Sequence, residues 1–125
     1  MSGKILVVDD SMTARKLVVD CLKEQGLEVI EAENGKDGLS KIEEHKDINL
    51  IFSDINMPWM SGLEMVAEIK KDSSMNSIPI CMLTTESGAE SLAEAKKLGV
   101  DAFLVKPVQS EQLIMILEGY LKKAG

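Results

Sequence analysis

The sequence predicts an α/β fold in which a parallel five-stranded sheet is covered by helices on both faces. Short apolar runs alternate five times with longer stretches of helical periodicity, an order typical of successive βα units. The first, third and fourth runs lack the polar alternation of a half-exposed strand, as expected for strands buried on both faces. Neither a linker nor an internal repeat interrupts this pattern.

Five segments rich in β-branched and aliphatic residues predict the strands. They are residues 4–8 (KILVV), 28–32 (EVIEA), 48–53 (INLIFS), 78–84 (IPICMLT) and 102–105 (AFLV). We expect the flavodoxin-like, doubly wound order 2-1-3-4-5, in which strands 1 and 3 are neighbours and so are strands 4 and 5.

The helices occupy the gaps between these strands. The first is expected to begin after Ser11 and the last after Ser110, because a serine hydroxyl can accept an unpaired N–H of the first helical turn. Gly26 and Gly99 lie where glycines that end helices are common. Three further helices are expected near 35–45, 62–72 and 88–98. In the first helix, helical spacing predicts a buried face made by Ala14, Leu17, Val18, Cys21 and Leu22.

Length, composition and charge limit the class of function. A chain of 125 residues with 45% apolar residues predicts one globular domain over residues 1–125. Fourteen basic against twenty-one acidic residues give a net charge of -7, which disfavours nucleic acid and anionic membranes as partners. No signal peptide or membrane-spanning run is recognisable, so we expect a cytoplasmic protein. We also expect it to be a monomer. One histidine and two cysteines, the latter predicted to be buried thiols, make a zinc site improbable.

Polar residues follow four of the predicted strands. Asp9 and Asp10 follow strand 1, Asp54 follows strand 3, Thr84 ends strand 4 and Lys106 follows strand 5. Ligands of open α/β sheets bind beyond the carboxyl ends of the strands. In the expected strand order, three carboxylates would meet on one side of a cleft and face a hydroxyl and an ammonium on the other.

This set of groups suits phosphate chemistry. Three close carboxylates should raise at least one pKa unless a cation joins them, and few protein oxygens with open positions favour Mg²⁺ over Ca²⁺. Asp54 could then act as a nucleophile toward phosphorus, while Lys106 neutralises developing charge and Thr84 donates to the attached phosphoryl group. Each residue alone has a structural alternative: Asp10 as a helix-dipole partner, Thr84 as a structural hydroxyl, Lys106 as a solvated lysine. Their coincidence at four strand ends favours the functional interpretation.

Four motifs in order, ILVVDDS, SDINMPWMSG, MLTTE and FLVKP, resemble those of the receiver domains of two-component response regulators. Single-domain chemotaxis regulators are the most similar members, and the resemblance covers essentially the whole chain. It implies that Asp54 accepts a phosphoryl group from a histidine kinase. It also implies that Asp10, Asp54 and the backbone carbonyl of Asn56 bind Mg²⁺, with Asp9 assisting through water.

The resemblance assigns further roles. Thr84 and Lys106 would contact the phosphoryl group, Phe103 would be the switch aromatic, and Asn56 and Glu86 would tune dephosphorylation. The peptide bond between Lys106 and the following proline is expected to be cis. Such a protein is a phosphoacceptor that promotes its own phosphorylation and dephosphorylation, and is not itself an enzyme.

The expected output is a binding event with a downstream target. A flagellar motor switch protein is a candidate target, and a phosphatase is a candidate second partner. One departure from the family pattern is Thr85, which stands where a small residue is common and would narrow access to the phosphoryl group.

Other interpretations stay open at this point. Within the family, the chain could be a phosphorelay intermediate or a receiver from a longer regulator. A haloacid-dehalogenase-like Mg²⁺ phosphatase would need Asp-x-Asp after strand 1, whereas the two acids here are adjacent. A flavodoxin would need a hydroxyl-rich phosphate loop at the same place, where Asp9 and Asp10 would repel a flavin phosphate.

Overall fold

The structure, a computed structural model, describes residues 2–85 and 89–121, with the backbone alone at residues 89 and 90. Its elements are β1 (Lys4–Val8), α1 (Met12–Glu24), β2 (Glu28–Ala32), α2 (Gly35–Glu44), β3 (Leu50–Asp54), α3 (Gly62–Lys71), β4 (Ile80–Thr84), α4 (Ala89–Leu98), β5 (Ala102–Val105) and α5 (Ser110–Tyr120). Within the described residues the strands form one parallel sheet in the order β2-β1-β3-β4-β5. The predicted fold class and strand order are confirmed.

The strand bounds agree with the sequence for β1, β2 and β5, but β3 and β4 each begin two residues later than predicted. Ile48 is buried in the core although it precedes β3, and Ile78 packs against the same core before β4. An apolar residue in the sequence indicates burial but not pairing in a sheet. These two residues are covered by neighbouring side chains without being paired in the sheet. Asp54 is the last residue of β3, so its backbone belongs to the sheet.

Helix ends follow the expected rules with one exception. The Ser11 hydroxyl caps α1 by accepting from the backbone N–H of Ala14 at 3.2 Å. Ser110 is not the N-cap of α5, as the sequence suggested, but its first helical residue. Gln109 occupies the cap, and its N–H donates to the side-chain oxygen of Gln112 at 2.9 Å. Serine is much the commoner N-cap residue, so residue preference pointed to Ser110, whereas the bond between Gln109 and Gln112 begins the helix one residue earlier.

The buried face of α1 differs in part from the prediction. Val18, Cys21 and Leu22 are buried as expected, but Val19 is buried as well and Leu17 is 71% exposed. Leu17 borders a groove between α1 and α5. The apolar stripe therefore points partly past the sheet, because α1 packs on β2 as well as on β1.

Two hydrophobic layers sandwich the sheet. Ile5 and Val7 of β1 face the layer beneath α1 and α5, whereas Leu6 and Val8 face the layer beneath α2, α3 and α4. Both cysteines lie buried in the first layer, as predicted, and burial raises the pKa of the Cys81 thiol to about 12. No helix in the described part of the chain has the length and apolar character needed to cross a membrane.

Candidate functional site

Three carboxylates meet at the carboxyl edge of the sheet. Asp9 directly follows β1, and Asp54 ends β3, whose Ser53 pairs with Val8 of β1. One oxygen from each of Asp9, Asp10 and Asp54 lies within 4.8 Å of the others. Asp9 and Asp54 are buried, whereas Asp10 is exposed. The pairing of β1 with β3 thus forces acidic groups together at the edge of the core.

Lys106 supplies the cation of this cluster. It follows β5, and its side chain reaches past the end of β4 so that Nζ lies 3.0 Å from Asp9 Oδ2 and 3.3 Å from Asp54 Oδ2. The sequence placed the lysine opposite the carboxylates across a cleft, whereas the structure pairs it directly with two of them. The Lys106–Pro107 peptide bond is cis, as the resemblance implied.

The electrostatics follow from burial and from these ion pairs. Burial raises the pKa of the Asp54 carboxyl, and the nearby charge of Asp9 adds to this effect while Lys106 opposes it. Burial by itself would lower the pKa of Lys106, but its bonds to Asp9 and Asp54 outweigh that effect and raise it. The ammonium therefore stays charged at neutral pH.

The donor set of this acidic cluster fits a divalent cation. Three carboxylates against one ammonium leave two negative charges without compensation, which is the charge that one divalent ion offsets. All the groups offered are oxygens, the ligands preferred by hard cations such as Mg²⁺. Asp10 is the member open to solvent, so an ion has a route of approach.

The remaining predicted residues lie near this edge with different degrees of engagement. Thr84 is the last residue of β4 and is buried, and its hydroxyl donates to the carbonyl of Thr85 at 3.2 Å rather than to a carboxylate. Asn56 is exposed, two residues after Asp54 in the loop to α3. Glu86 lies outside the described residues. The structure therefore gathers the acids and Lys106, and leaves the Thr84 hydroxyl bonded to the backbone carbonyl of the next residue, Thr85.

Phe103 in β5 is half-buried and packs on the layer beneath α2, α3 and α4. The ammonium of Lys96 on α4 lies 5.9 Å from the centroid of its ring, a distance typical of a cation–π contact. The ring is thereby linked to α4 as well as to the sheet. Phe103 is thus placed where a shift of its side chain would be felt by both elements.

The loop after Asp54 is held by a close backbone approach. The N–H of Gly62 donates to the carbonyl of Ile55 at 2.8 Å, and a Cβ at position 62 would collide with the carbonyl oxygen of Asp54. Ser61 and Glu64 form a reciprocal capping box that starts α3 at the same point. Glycine at position 62 therefore allows the helix to begin directly against the strand that carries Asp54.

Trp59 lies at the tip of this loop in a strained conformation. Its φ is +67°, and the N–H of Met60 donates across it to the carbonyl of Pro58 at 2.8 Å, which makes a γ-turn of the rare positive-φ kind. Its side chain is 87% exposed. No burial of the indole compensates for this strain, so the loop geometry around it must enforce the turn.

Arg15 is a site residue that the sequence analysis missed. From α1, its Nη1 donates to the carbonyl oxygen of Asp9 at 2.6 Å and its Nε pairs with Glu31 of β2 at 2.9 Å. An arginine on an amphipathic helix normally indicates a solvated face. The sequence did offer one indication of its role: Arg15 lies one helical turn after the N-cap Ser11, and Asp9 and Asp10 directly precede that cap.

Residues 5–118 match the profile of the response regulator receiver domain. The chain belongs to this family. Receiver domains are signalling phosphoacceptors, so the haloacid-dehalogenase-like and flavodoxin interpretations are set aside. The acidic cluster of this receiver domain is of the type found in the family's metal site.

Individual relatives resemble this receiver domain over nearly their whole length. The chemotaxis protein CheY1 of Helicobacter pylori is 40% identical over 116 residues, which cover 92% of this chain and 94% of that protein. The CheY homolog of Campylobacter jejuni is 37% identical over 119 residues, covering 94% and 92% respectively. The solved structure of the Vibrio cholerae chemotaxis protein CheY4 is 38% identical, covers 97% of this chain and 100% of that one, and superposes with a TM-score of 0.88.

Replacing Asp54 by asparagine should stabilise the metal-free protein. Burial raises the pKa of Asp54, so its ionised form opposes folding at neutral pH, and this destabilisation fades as pH falls through the raised pKa. We therefore expect Asp54→Asn to raise the melting temperature in EDTA by a few degrees at neutral pH. The difference from the parent should shrink toward acidic pH.

Asp20→Asn is the matched control, because it removes a carboxylate that is exposed and paired with Lys16 on α1. It should change the melting temperature little. An equal rise in both variants would mean that net charge alone is responsible, and that the carboxylate cluster carries no local repulsion.

The turn at Trp59 yields a second prediction. A left-handed conformation costs an L-residue roughly 1–2 kcal/mol, whereas the greater unfolded-state freedom of glycine costs about 0.5–1 kcal/mol. Trp59→Gly should therefore unfold at a higher urea concentration than Trp59→Ala. At Lys16, on the exposed surface of α1, the order should reverse, with alanine more stable than glycine by about 1 kcal/mol. Greater stability of alanine at position 59 would contradict the strained turn.

Proposed function

We propose that this receiver domain is a cytoplasmic chemotaxis regulator whose Asp54 accepts a phosphoryl group from a histidine kinase with the help of Mg²⁺. The observation that best supports this proposal is the cluster in which Lys106 forms ion pairs with Asp9 and Asp54 beside Asp10. The assignment to chemotaxis rests on the similarity to the H. pylori and C. jejuni proteins across nearly their full lengths. The phosphorylated form then binds a downstream target, for which a flagellar motor switch protein is the first candidate.

Asp54 is the proposed nucleophile. Its Oδ1 accepts the backbone N–H of Ile55 at 2.8 Å, and its Oδ2 contacts the Lys106 ammonium at the longer distance of 3.3 Å. A carboxylate oxygen of Asp54 forms a bond to phosphorus as the phosphorus–nitrogen bond of a phosphohistidine breaks, and the imidazole nitrogen keeps the electron pair. The N–H of Ile55 orients the carboxylate. Asp54 is the last residue of β3 and Ile55 directly follows it, so the donor and the acceptor are held by the same stretch of backbone.

Lys106 stabilises charge on both sides of the transfer. Before it, the ammonium offsets the repulsion between Asp9 and Asp54, and after it the phosphoryl oxygens become its partners. Thr84 is proposed to turn its hydroxyl from the carbonyl of Thr85 to a phosphoryl oxygen. Its place at the end of β4, the strand between those that carry Asp54 and Lys106, supports this role.

The proposed metal ligands are Asp9, Asp10, Asp54 and the backbone carbonyl of Asn56, with Asp9 acting through water. When bound, Mg²⁺ neutralises negative charge on the carboxylates and on the phosphoryl group that approaches them. Asn56, together with Glu86, is also proposed to set the rate of dephosphorylation, and a separate phosphatase is a further candidate partner.

We propose that Phe103 couples phosphorylation of the site to a change in the surface that a partner binds. A phosphoryl group adds about -1.5 to -2 charges at neutral pH together with three strong acceptors. As Thr84 turns toward it, the Phe103 side chain moves into the space released, and its contact with Lys96 changes. The surface made by α4, β5 and α5 is then altered for a partner to recognise.

The first test follows the fluorescence of Trp59 during titration with Mg²⁺ and then with beryllofluoride, which mimics the phosphoryl group. Intact mass is measured after incubation with acetyl phosphate and Mg²⁺. We expect a Mg²⁺-dependent fluorescence change and a mass gain of one phosphoryl group. Both the beryllofluoride response and the mass gain should be lost in Asp54→Asn.

Two results separate parts of this proposal. A normal beryllofluoride response without an acetyl phosphate adduct would indicate restricted access for the small donor, with Thr85 as the first residue to replace by alanine. Absence of both responses in the parent protein would refute Asp54 as phosphoacceptor.

The role of Phe103 is tested by hydrogen exchange with and without beryllofluoride. In the parent we expect exchange to change in α4 and β5. In Phe103→Ala the mass gain from acetyl phosphate should persist, whereas the change in exchange at α4 and β5 should be largely lost. Leu104→Ala, which alters the next residue on the opposite layer, is the matched control. An undiminished response in Phe103→Ala would refute the coupling.

A further inference from the structure

Arg15 connects the end of β1 to the edge strand of the sheet. Its guanidinium donates to the carbonyl oxygen of Asp9 at 2.6 Å and to Glu31 of β2 at 2.9 Å, and its side chain is only 14% exposed. The guanidinium makes the two bonds from two different nitrogens, Nη1 and Nε, which are held at a fixed spacing that the single nitrogen of an ammonium does not offer. Arg15 therefore fixes a backbone atom of the acidic segment and does not merely cover the surface.

Asp9 is held at four atoms. Its N–H donates to the carbonyl of Ala32 at 3.1 Å, and its carbonyl accepts from Arg15. Its carboxylate accepts from the N–H of Ser11 at 2.9 Å through Oδ1 and from Lys106 at 3.0 Å through Oδ2. The bond from Arg15 is the one that fixes the direction of the Asp9 carbonyl.

Asp10 depends on that carbonyl. The C=O of Asp9 and the N–H of Asp10 belong to one planar peptide unit, so fixing the first sets the position of the Asp10 Cα. The Asp10 carboxylate is exposed, so no surrounding core packs it into place. Its place in the acidic cluster follows from the backbone.

We propose that Arg15 is a positioning residue that aims the Asp10 carboxylate at the divalent cation. This inference rests on the proposed metal site. A competing electrostatic effect has the opposite sign, because a positive charge near three carboxylates should weaken the binding of a cation. Arg15 is paired with Glu31 at 2.9 Å, however, so its field at the cluster is largely offset and its geometric effect prevails.

The test is a titration of metal-free protein with Mg²⁺ alone, in which binding is measured by calorimetry and by the fluorescence of Trp59. Loss of a residue that orients a metal ligand typically weakens metal affinity by roughly 10–100-fold. We expect Arg15→Met to raise the Mg²⁺ Kd by about 10-fold or more. Lys16→Met is the matched control. It removes one positive charge from the adjacent exposed residue, which pairs with Asp20 on α1 while Arg15 bonds the Asp9 carbonyl, and it should leave the Kd unchanged.

Phosphorylation kinetics distinguish positioning from a general structural defect. With acetyl phosphate, Arg15→Met should need more Mg²⁺ for half-maximal rate but should approach the parent rate at saturating Mg²⁺. Arg15→Lys keeps the charge without the fork and should shift the Kd in the same direction. It decides the question if Arg15→Met does not fold.

An unchanged or tighter Mg²⁺ Kd in Arg15→Lys and in folded Arg15→Met would overturn the inference. A parent protein that binds no Mg²⁺ would overturn the proposed metal site, and this inference with it. A Kd weakened equally by Lys16→Met would also overturn it. Loss of a positive charge should by itself tighten cation binding, so such a result would mean that the weakening does not depend on the bond from Arg15 to Asp9.

Discussion

The pairing of Lys106 with Asp9 and Asp54 is the interaction on which the site depends. Parallel strands end at one edge, so the fold brings two buried carboxylates together whether or not a cation is bound. A lysine 97 residues away from Asp9 in the chain supplies the permanent counter-charge. The Lys106 ammonium offsets only one of the three negative charges of the cluster. The protein is thus partly neutralised without a metal, and the cluster can still bind a divalent ion.

The two layers of core explain how such a charged edge is kept rigid. Asp54 ends a strand that is buried along its whole length, and Thr84 ends another. The polar groups of the site are thus attached to strands that are buried along their whole length, where local opening costs the most free energy. Phe103, which we propose to move on phosphorylation, lies instead on the half-buried edge strand β5, and Trp59 lies in an exposed loop.

Much of this arrangement followed from the sequence, and the failures have physical causes. Periodicity predicted five alternating strands and helices, and the flavodoxin-like strand order expected for such a fold predicted the meeting of Asp9, Asp10 and Asp54. Ile48 and Leu17 were misjudged because hydrophobicity does not state whether a residue pairs in the sheet or borders a groove. The reach of Lys106 across β4 and the bond from Arg15 to a backbone carbonyl depend on side-chain conformation, which has no periodic signature.

The contact between Gly62 and the carbonyl of Asp54 bears on how this protein can diverge in sequence. Position 62 excludes every side chain, since even one carbon atom would displace the backbone of the strand that carries Asp54. Trp59 at the intervening tip is 87% exposed, so its side chain, unlike its strained backbone, meets no such restriction. The side chain at position 59 can therefore change without displacing the strand that carries Asp54, so the outer surface of this loop and the site beneath it are free to diverge separately in sequence.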